Sequence, residues 1–300
     1  FLNGICLVPG TDYTASTKTS IVLTQAASLN DTLEVVAYDI ASMDDSIAKS
    51  GGTFTGDVTF ADGADIITAT AGTDNVRLGS GAGDSIASGG NQNVVIGKDA
   101  GTALTTGDSN TFIGAKVGDA ITTASGNVAI GGDTTYAALG SDTQGKFTTA
   151  IGVGALRAQN FTSDTQTNNT AVGYFAGGVM TTGTANTFVG SLAGDDCVDG
   201  IQNVAVGYAA LSADAGNNNT AVGESALTST TGANNTAIGN GAGNAITTGT
   251  KNSILGMYNG NQDGLDIRTS SNNVVLSDGD GAPVYVNKKV DTFQTGGRPV

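Results

Sequence analysis

A five-residue motif, Asn-x-x-aliphatic-Gly, recurs along most of this 300-residue chain. Twelve copies are present, eleven of them begin with Asn, and successive copies lie 16 to 21 residues apart. The last residues of the copies are Gly79, Gly97, Gly114, Gly131, Gly152, Gly173, Gly190, Gly207, Gly223, Gly239, Gly256 and Ser277. Repetition at a nearly fixed period is typical of arrays in which each unit buries its apolar side against its neighbours. The spacing therefore favours a repeat fold over a single globular core.

Each repeat contains a second half-motif. Four residues after the last residue of a copy stands Gly or Leu, except after Gly131, and it is usually preceded by Ala, as in Ala100-Gly101 and Ala155-Leu156. A polar turn such as TTGTA at 181–185 then leads to the next Asn. Thr, Val and Ile favour strands, and abundant Gly disfavours helices. We therefore predict an all-β fold, a parallel β-roll or β-solenoid with one coil per repeat.

Both faces of the motif strand are nearly free of charge. The fourth residue of the motif is aliphatic in all twelve copies, and it shares a face with the residue two positions earlier. The residue between them points the other way and is Ala, Val, Ile or Phe except at Arg77. A coil can bury only its inner face, so the outer face needs a cover. We expect other copies of this chain to supply it, in a homotrimer closed about a common axis.

Asn occupies the same position in almost every copy of the motif, which suggests a ladder of Asn side chains along the stacked coils. Coils stacked about 4.8 Å apart bring each side-chain amide close to the next, and Asn also tolerates left-handed backbone at a corner. The glycosylation acceptor patterns at Asn168, Asn218 and Asn234 are interpreted as by-products of this repeat. The predicted ladder residues are Asn75, Asn93, Asn110, Asn127, Asn169, Asn186, Asn203, Asn219, Asn235, Asn252 and Asn273.

The composition excludes several classes of function. The chain has no His, which removes His-based catalysis and His metal ligands. Its net charge of −15 argues against nucleic acid as a partner, because phosphate binding depends on Lys and Arg. Cys6 and Cys197 are too few for a disulfide framework or a zinc site and are expected to be small buried residues. No apolar run approaches the roughly 18 residues of a membrane span. No cofactor, metal or membrane insertion is therefore predicted.

Paired carboxylates are the remaining candidates for catalysis. The triplet Asp195, Asp196 and Asp199 and the pair Asp278 and Asp280 lie in Gly-rich turns, without a row of aromatic residues that could hold a sugar. Asp is a common turn former, so solvated turns are favoured over a glycosidase pair or a calcium site. The segment at 79–87 resembles a calcium-binding nonapeptide only in part. No catalytic residue is assigned, and the chain is predicted not to be an enzyme.

Three longer repeats carry insertions. Those at 131–152 and 152–173 are neighbours, so their extra residues should stack as a flange, and the insertion at 259–271 is a candidate cap for the open β edge. The flange is interpreted as a packed loop or a contact with the adjacent chain, or alternatively as a contact patch for a receptor or another protein of the same assembly. Its candidate contact residues are Tyr136, Asp142, Gln144, Phe147, Arg157, Phe161, Asp164 and Gln166.

Over 75–277, motifs such as NTAVG, NVAIG and NTAIG followed by xxAG or xxAL resemble the head repeats of trimeric autotransporter adhesins. That resemblance implies a trimeric left-handed parallel β-roll. The family's spacing is somewhat shorter, and its anchoring C-terminal barrel has no counterpart in these residues. The resemblance is therefore expected to extend to the fold but not to the outer-membrane location.

The first 71 residues resemble a different family. FLNGICLVPGTDYTAS (1–16) and NDTLEVVAYD (30–39) are similar to the small β-module of phage tail fibres, and GGTFTGDVTF (51–60) resembles a segment common in phage fibre proteins. ASMDDSIAKS (41–50) can form a short helix. The predicted domains are a β-module at 1–40, a helix and β neck at 41–71, a shaft at 72–280, and a tail or link at 281–300.

These resemblances imply a structural tail fibre of a phage virion, outside the cell. Its expected partners are two further copies of itself, other virion tail proteins through the N-terminal region, and a host-surface receptor at the distal end. The alternative is a bacterial surface adhesin head with the same trimeric roll. A polysaccharide-degrading tailspike is less favoured.

Overall fold

The computed structural model describes residues 1–34, except 4, 10, 18 and 19, and residues 70–288, except 133 and 134. The chain divides into two compact units, Phe1–Asp65 and Ile66–Val300. All regular elements of the described residues are strands, which confirms the all-β prediction. The helix and neck predicted at 41–71 lie outside the described residues, except for residues 70 and 71.

The first unit contains one antiparallel pair, β1 (Tyr13–Thr17) and β2 (Ser20–Leu23), in which Tyr13 lies opposite Leu23. Asn3 links the start of the chain to a later loop. Its Nδ2 donates to Asp31 Oδ1 at 2.8 Å, and its Oδ1 accepts the backbone N–H of Thr32 at 2.9 Å. The N-terminal half of the predicted β-module is thus strand and turn, while residues 35–39 of its last segment lie outside the described residues.

The second unit is a β-solenoid built on one sheet of thirteen strands. Twelve of them coincide with the twelve motif copies and run parallel, one per coil, which confirms the predicted repeat fold. Stacking at about 4.8 Å per coil makes this sheet roughly 50 Å long. The twelve strands are β3 (Val76–Leu78), β4 (Val94–Ile96), β5 (Thr111–Ile113), β6 (Val128–Ile130), β8 (Thr149–Ile151), β10 (Thr170–Val172), β11 (Thr187–Val189), β12 (Val204–Val206), β13 (Thr220–Val222), β14 (Thr236–Ile238), β15 (Ser253–Leu255) and β18 (Asn273–Ser277).

Register between coils follows the motif without a slip. Ala205 of β12 lies opposite Phe188 of β11 and Ala221 of β13, so equivalent positions of successive repeats are neighbours. A shift by one residue would exchange the inner and outer faces. The repeated pattern therefore fixes which side of each strand is buried.

The middle residue of each motif strand faces the interior of the coil. Ala129, Ala171 and Ala221 are fully buried, as is the Ala that precedes each later corner, such as Ala193. The aliphatic fourth residue of the motif faces outward instead, and Leu78 and Leu255 are 66% and 54% exposed. The interior thus holds many small side chains together with some large ones, whereas the aliphatic fourth residue of the motif lies on the outer surface.

Left-handed backbone recurs at fixed points of the coil. The residue before each ladder Asn has positive φ, for example Ser109 and Ala185, both at 58°. The ladder Asn residues themselves do not, so the expected left-handed Asn corner is displaced by one residue. The corner after the strand is also left-handed, with φ near 57° at Leu211 and 60° at Gly194.

The open edge of the last coil is covered by a different segment from the one that was predicted. The insertion at 259–271 forms a small hairpin of β16 (Asn261–Gln262) and β17 (Leu265–Asp266), and it buries Ile267. The edge of β18 is paired instead by the antiparallel strand β19 (Pro283–Lys288). The prediction that the insertion caps the sheet edge is therefore wrong, and the sheet extends past residue 280.

Candidate functional site

A row of buried asparagines runs along the solenoid. In nine successive pairs, the side-chain Oδ1 of one Asn accepts the backbone N–H of the Asn in the next coil at 2.8 to 3.1 Å. The amide nitrogen donates to a turn carbonyl, as from Asn235 Nδ2 to Gly249 O at 2.9 Å. Most of these side chains therefore tie their own coil to the next through backbone groups, and in five pairs the amide nitrogen also donates to the Oδ1 of the preceding Asn. The buried members are Asn75, Asn93, Asn110, Asn127, Asn169, Asn186, Asn203, Asn219, Asn235, Asn252 and Asn273.

The row is interrupted once, where Thr148 replaces Asn. Thr148 still donates its backbone N–H to Asn127 Oδ1 at 2.9 Å, but it has no amide to pass on. The side-chain amide of Gln159 provides the link to the next coil instead. Its Oε1 accepts from Asn169 Nδ2 at 2.9 Å, and its Nε2 donates to Asp142 Oδ2 at 2.6 Å. A buried side-chain network thus replaces the missing rung.

Asp142 belongs to this network and not to the surface. Its carboxylate is fully buried, and Oδ1 accepts the backbone N–H groups of Gly145 and Phe161 at 3.0 Å each. Phe161 is itself 9% exposed. Two of the predicted flange contacts, Asp142 and Phe161, are therefore largely or fully buried within the chain.

The two neighbouring insertions lie against each other. Strands β7 (Gly145–Lys146) and β9 (Thr165–Gln166) pair in parallel, and Lys146 Nζ lies 2.7 Å from Asp164 Oδ2. The backbone N–H of Gln144 donates to Phe161 O at 2.9 Å. The ring of Phe147 is half exposed beside this pair, and Gln166 is exposed. This part of the flange is a second, smaller β-ribbon.

Tyr136 and Arg157 form a separate cluster with two residues that the sequence did not single out. The guanidinium of Arg157 lies 5.5 Å from the ring centroid of Tyr136 and 5.1 Å from that of Phe175. Phe175 also contacts Tyr136 edge to face at 5.1 Å and Tyr174 at 4.6 Å. The sequence did contain a signal for this cluster: Tyr174 and Phe175 follow Gly173 directly, and no other repeat has two aromatic residues at this corner.

A polar cavity of about 210 Å³ opens beside this cluster. Tyr136 and Arg157 line it together with Lys116, Asp119 and Ser141; Thr135, Ala137 and Gly140 complete it. Burial raises the pKa of Asp119, and the nearby positive charge of Lys116 partly opposes that shift. The cavity therefore combines cations, a carboxylate, a hydroxyl and an aromatic ring within one chain.

The outer face of the motif strands is a continuous apolar surface, which we call the apolar stripe. It consists of the first and third residues of each three-residue motif segment, two in each of twelve strands, and all are Val, Ile, Leu, Thr or Ser. A shallow groove of about 320 Å³ follows it at the last coils, lined by Ile238, Leu255 and Leu276 among others. No charged residue interrupts the apolar stripe along the described sheet.

The candidate carboxylates serve turns. Asp278 Oδ1 accepts the backbone N–H groups of Asp280 at 3.1 Å and Ala282 at 2.9 Å. Asp195 is partly buried, and this burial raises its pKa, while Asp196 and Asp199 are exposed. Within residues 1–34 and 70–288, with their short gaps, no three acidic or Cys side chains are placed to hold a metal ion. Cys197 is buried as expected, but Cys6 is exposed.

Comparisons with protein-family models, with curated proteins and with solved structures gave no match to this chain. Among the described residues there is no helix long and apolar enough to cross a membrane. A function can therefore be inferred from the apolar stripe, the Asn row and the polar cavity beside Arg157.

Proposed function

We propose that this protein is a structural, non-enzymatic fibre protein of a phage tail, in which three copies pack along a common axis into a rigid shaft. The apolar stripe is the observation that supports this proposal most strongly. Soluble monomers rarely expose contiguous apolar patches larger than a few hundred Å². This surface extends over all twelve coils, so a single chain would leave it in water along its whole length.

A second copy of the same stripe is the occupant that fits it best. The stripe has uncharged residues at the same two positions of every coil, so like surfaces can meet in one register along the rod. Each buried Å² of apolar surface contributes about 25 cal/mol. This gain must exceed the repulsion between copies that each carry a net charge of −15. Threefold closure about one axis is the simplest arrangement in which every copy packs its stripe against the others.

The stacking within each chain suits a mechanical role. Every coil is tied to the next by in-register backbone pairing and by the Asn row, so no coil can open without breaking bonds to two neighbours. The resemblance of residues 1–16, 30–39 and 51–60 to phage fibre segments supports attachment of this shaft to a virion. Host-receptor recognition is then assigned to the exposed flange or to the distal end.

A bacterial surface adhesin head is the second candidate, because the motif itself resembles the repeats of that family. A membrane anchor encoded downstream of Val300 would favour the adhesin, and a neighbouring phage tail gene would favour the fibre. A polysaccharide-degrading spike would require an activity that is lost on replacing Asp196 or Asp280. The hydrogen bonds that Asp278 accepts from the backbone support a turn role for Asp278 and Asp280.

Light scattering on the purified chain tests the trimer. We expect three copies per particle for the wild type and a folded single copy for the double variant Ile238→Asp with Leu255→Asp. Both side chains are exposed in one chain, so the coil should survive the change. Met257→Asp is the matched control, since Met257 is 43% exposed in the same repeat but outside the stripe. A stable, folded single copy of the wild type would refute the proposal.

A further inference from the structure

The cavity beside Arg157 gathers two positive side chains that form no ion pair with a described carboxylate. Seven Lys and Arg side chains are described in the solenoid, and four of them lie within 4 Å of an Asp carboxylate. The remaining three are Lys116, Arg157 and Lys251. Two of these three line the same cavity. This concentration is notable in a chain with a net charge of −15.

Arg157 is held in place although no described side chain pairs with it. Its guanidinium packs against the rings of Tyr136 and Phe175, and its buried Nε has no hydrogen-bond acceptor among the described residues. Ring stacking fixes the plane of the guanidinium, which lowers the entropy lost when it binds an anion.

The other groups of the cavity are those that bind hydroxyl groups. Asp119 offers acceptor oxygens, Ser141 offers a donor and an acceptor, and Tyr136 offers part of a ring surface. The two cations and one carboxylate give the described lining a net charge of +1. A ligand that suits this set carries one negative charge together with several hydroxyl groups.

We propose that this cavity binds a uronic acid unit of a surface glycan. The sugar carboxylate would lie between Lys116 and the terminal N–H groups of Arg157, and its ring hydroxyls would bond to Asp119 and Ser141. Charge-assisted bonds of this kind are roughly twice as strong as neutral ones. The volume of about 210 Å³ suits a single sugar unit and not an extended chain, so the remainder of the glycan would lie along the flange.

This assignment deepens the proposed function, on which it rests for the biological use of the glycan. It does not depend on the trimer, because every described lining residue belongs to one chain. The two proposals can therefore fail separately. Light scattering can give three copies while the sugar does not bind, and the sugar can bind to a particle that contains one copy.

The test is a titration of the full chain with methyl β-D-glucuronide, monitored by ligand-observed NMR. Methyl β-D-glucoside has the same ring without the carboxylate, and acetate has the carboxylate without the ring. We expect millimolar binding of the glucuronide, at least about tenfold tighter than either control, as one charge-assisted bond predicts. Binding should weaken as salt rises, because the cations are solvent-accessible.

Lys116→Gln and Arg157→Gln should each weaken glucuronide binding about fivefold or more. Lys251→Gln is the matched control, because Lys251 also lacks an Asp partner and has φ of 57°, against 58° at Lys116. If Arg157→Gln unfolds the cluster, Lys116→Gln alone decides the matter. The proposal is overturned if the glucuronide does not bind, if the glucoside binds equally well, or if Lys116→Gln behaves like Lys251→Gln.

Discussion

Gly194 leaves open the space that the ring of Phe188 fills. A Cβ atom at Gly194 would lie 2.7 Å from Phe188 Cε1, closer than carbon atoms can approach. In the next coil the strand centre is Ala205, and the position equivalent to Gly194 carries the buried Leu211. The interior is therefore filled in two ways. One coil combines a large residue in the strand with Gly at the corner, and the next combines a small residue in the strand with Leu at the corner.

This exchange predicts a compensating pair of substitutions. Phe188→Ala should destabilise each chain by about 3–5 kcal/mol because it leaves a cavity. Gly194→Leu alone should also destabilise it, because the new side chain meets the ring. The double variant reproduces the Ala205 and Leu211 arrangement and should recover part of the loss. Thermal unfolding measures all three variants.

Gly279→Leu controls for the added side chain, because nothing lies within 4 Å of a Cβ atom at that position. It should leave the melting temperature nearly unchanged. Strictly additive losses in the double variant would contradict the proposed exchange of volume.

The Asn row predicts a large effect of one buried amide. Asn235→Ala removes the acceptor of the Asn252 backbone N–H and the donor to Gly249 O, and it leaves both groups buried without a partner. Each unsatisfied group costs about 1–3 kcal/mol. We expect a loss of at least about 2 kcal/mol in denaturant unfolding. Asn240→Ala is the control, since Asn240 is exposed and bonds only to Glu224; equal losses at the two positions would argue against the row.

Asp195 predicts a pH dependence of stability. Burial raises its pKa above the ordinary value of 3.8, so the folded state holds its proton more tightly than the unfolded state does. Its contribution is therefore most favourable at low pH and is lost as pH rises through the raised pKa. Asp195→Asn should raise the melting temperature at pH 7 by roughly 1 to 2 °C, and this gain should shrink as the pH falls toward about 4.

Asp196→Asn is the matched control for this prediction, because it removes the same formal charge from an exposed neighbour. Its effect at pH 7 should be smaller, since Asp196 acts on Asp195 only through charge repulsion. A gain for Asp195→Asn that does not change between pH 7 and pH 4 would exclude the role of burial.

The two cysteines predict selective labelling. Burial raises the pKa of the Cys197 thiol to about 11, so only about one part in a thousand is thiolate at pH 8. The exposed Cys6 should therefore react with iodoacetamide first, and mass spectrometry should find one label per native chain. Both cysteines should react in denaturant. Cys6→Ser should leave the native chain unlabelled, and rapid labelling of Cys197 in that variant would mean that the interior opens readily.

The repeat made the solenoid predictable because its contacts are local and identical from coil to coil. All twelve strands, their shared register and the buried side at Ala129 or Ala171 depend on one period. The direction of the larger aliphatics was not determined in the same way, since both faces of the strand are uncharged. The structure resolves this choice by placing the middle strand residue, often Ala, inside the coil and the aliphatic fourth residue of the motif outside.

The flange could not be predicted to the same depth, because its residues have no period and their partners lie in other coils. Asp142 appeared as a surface charge in the sequence, but the amide of Gln159 and two backbone N–H groups hold it inside. Lys116 and Asp119 belong to an ordinary repeat, and only stacking brings them to the cavity with Arg157. Insertions and breaks in the motif show where to search, but not which side chains meet.

The in-register pairing of one strand per coil makes length a property that can change in whole units. Loss or duplication of a complete repeat removes or adds one rung, about 4.8 Å, while strands such as β12 and β13 keep the same kind of neighbour. The filling of the interior limits where the cut can fall, since a ring such as Phe188 also needs Gly177 in the preceding coil. Genetic recombination within the array can thus adjust how far the molecule reaches without inventing a new contact.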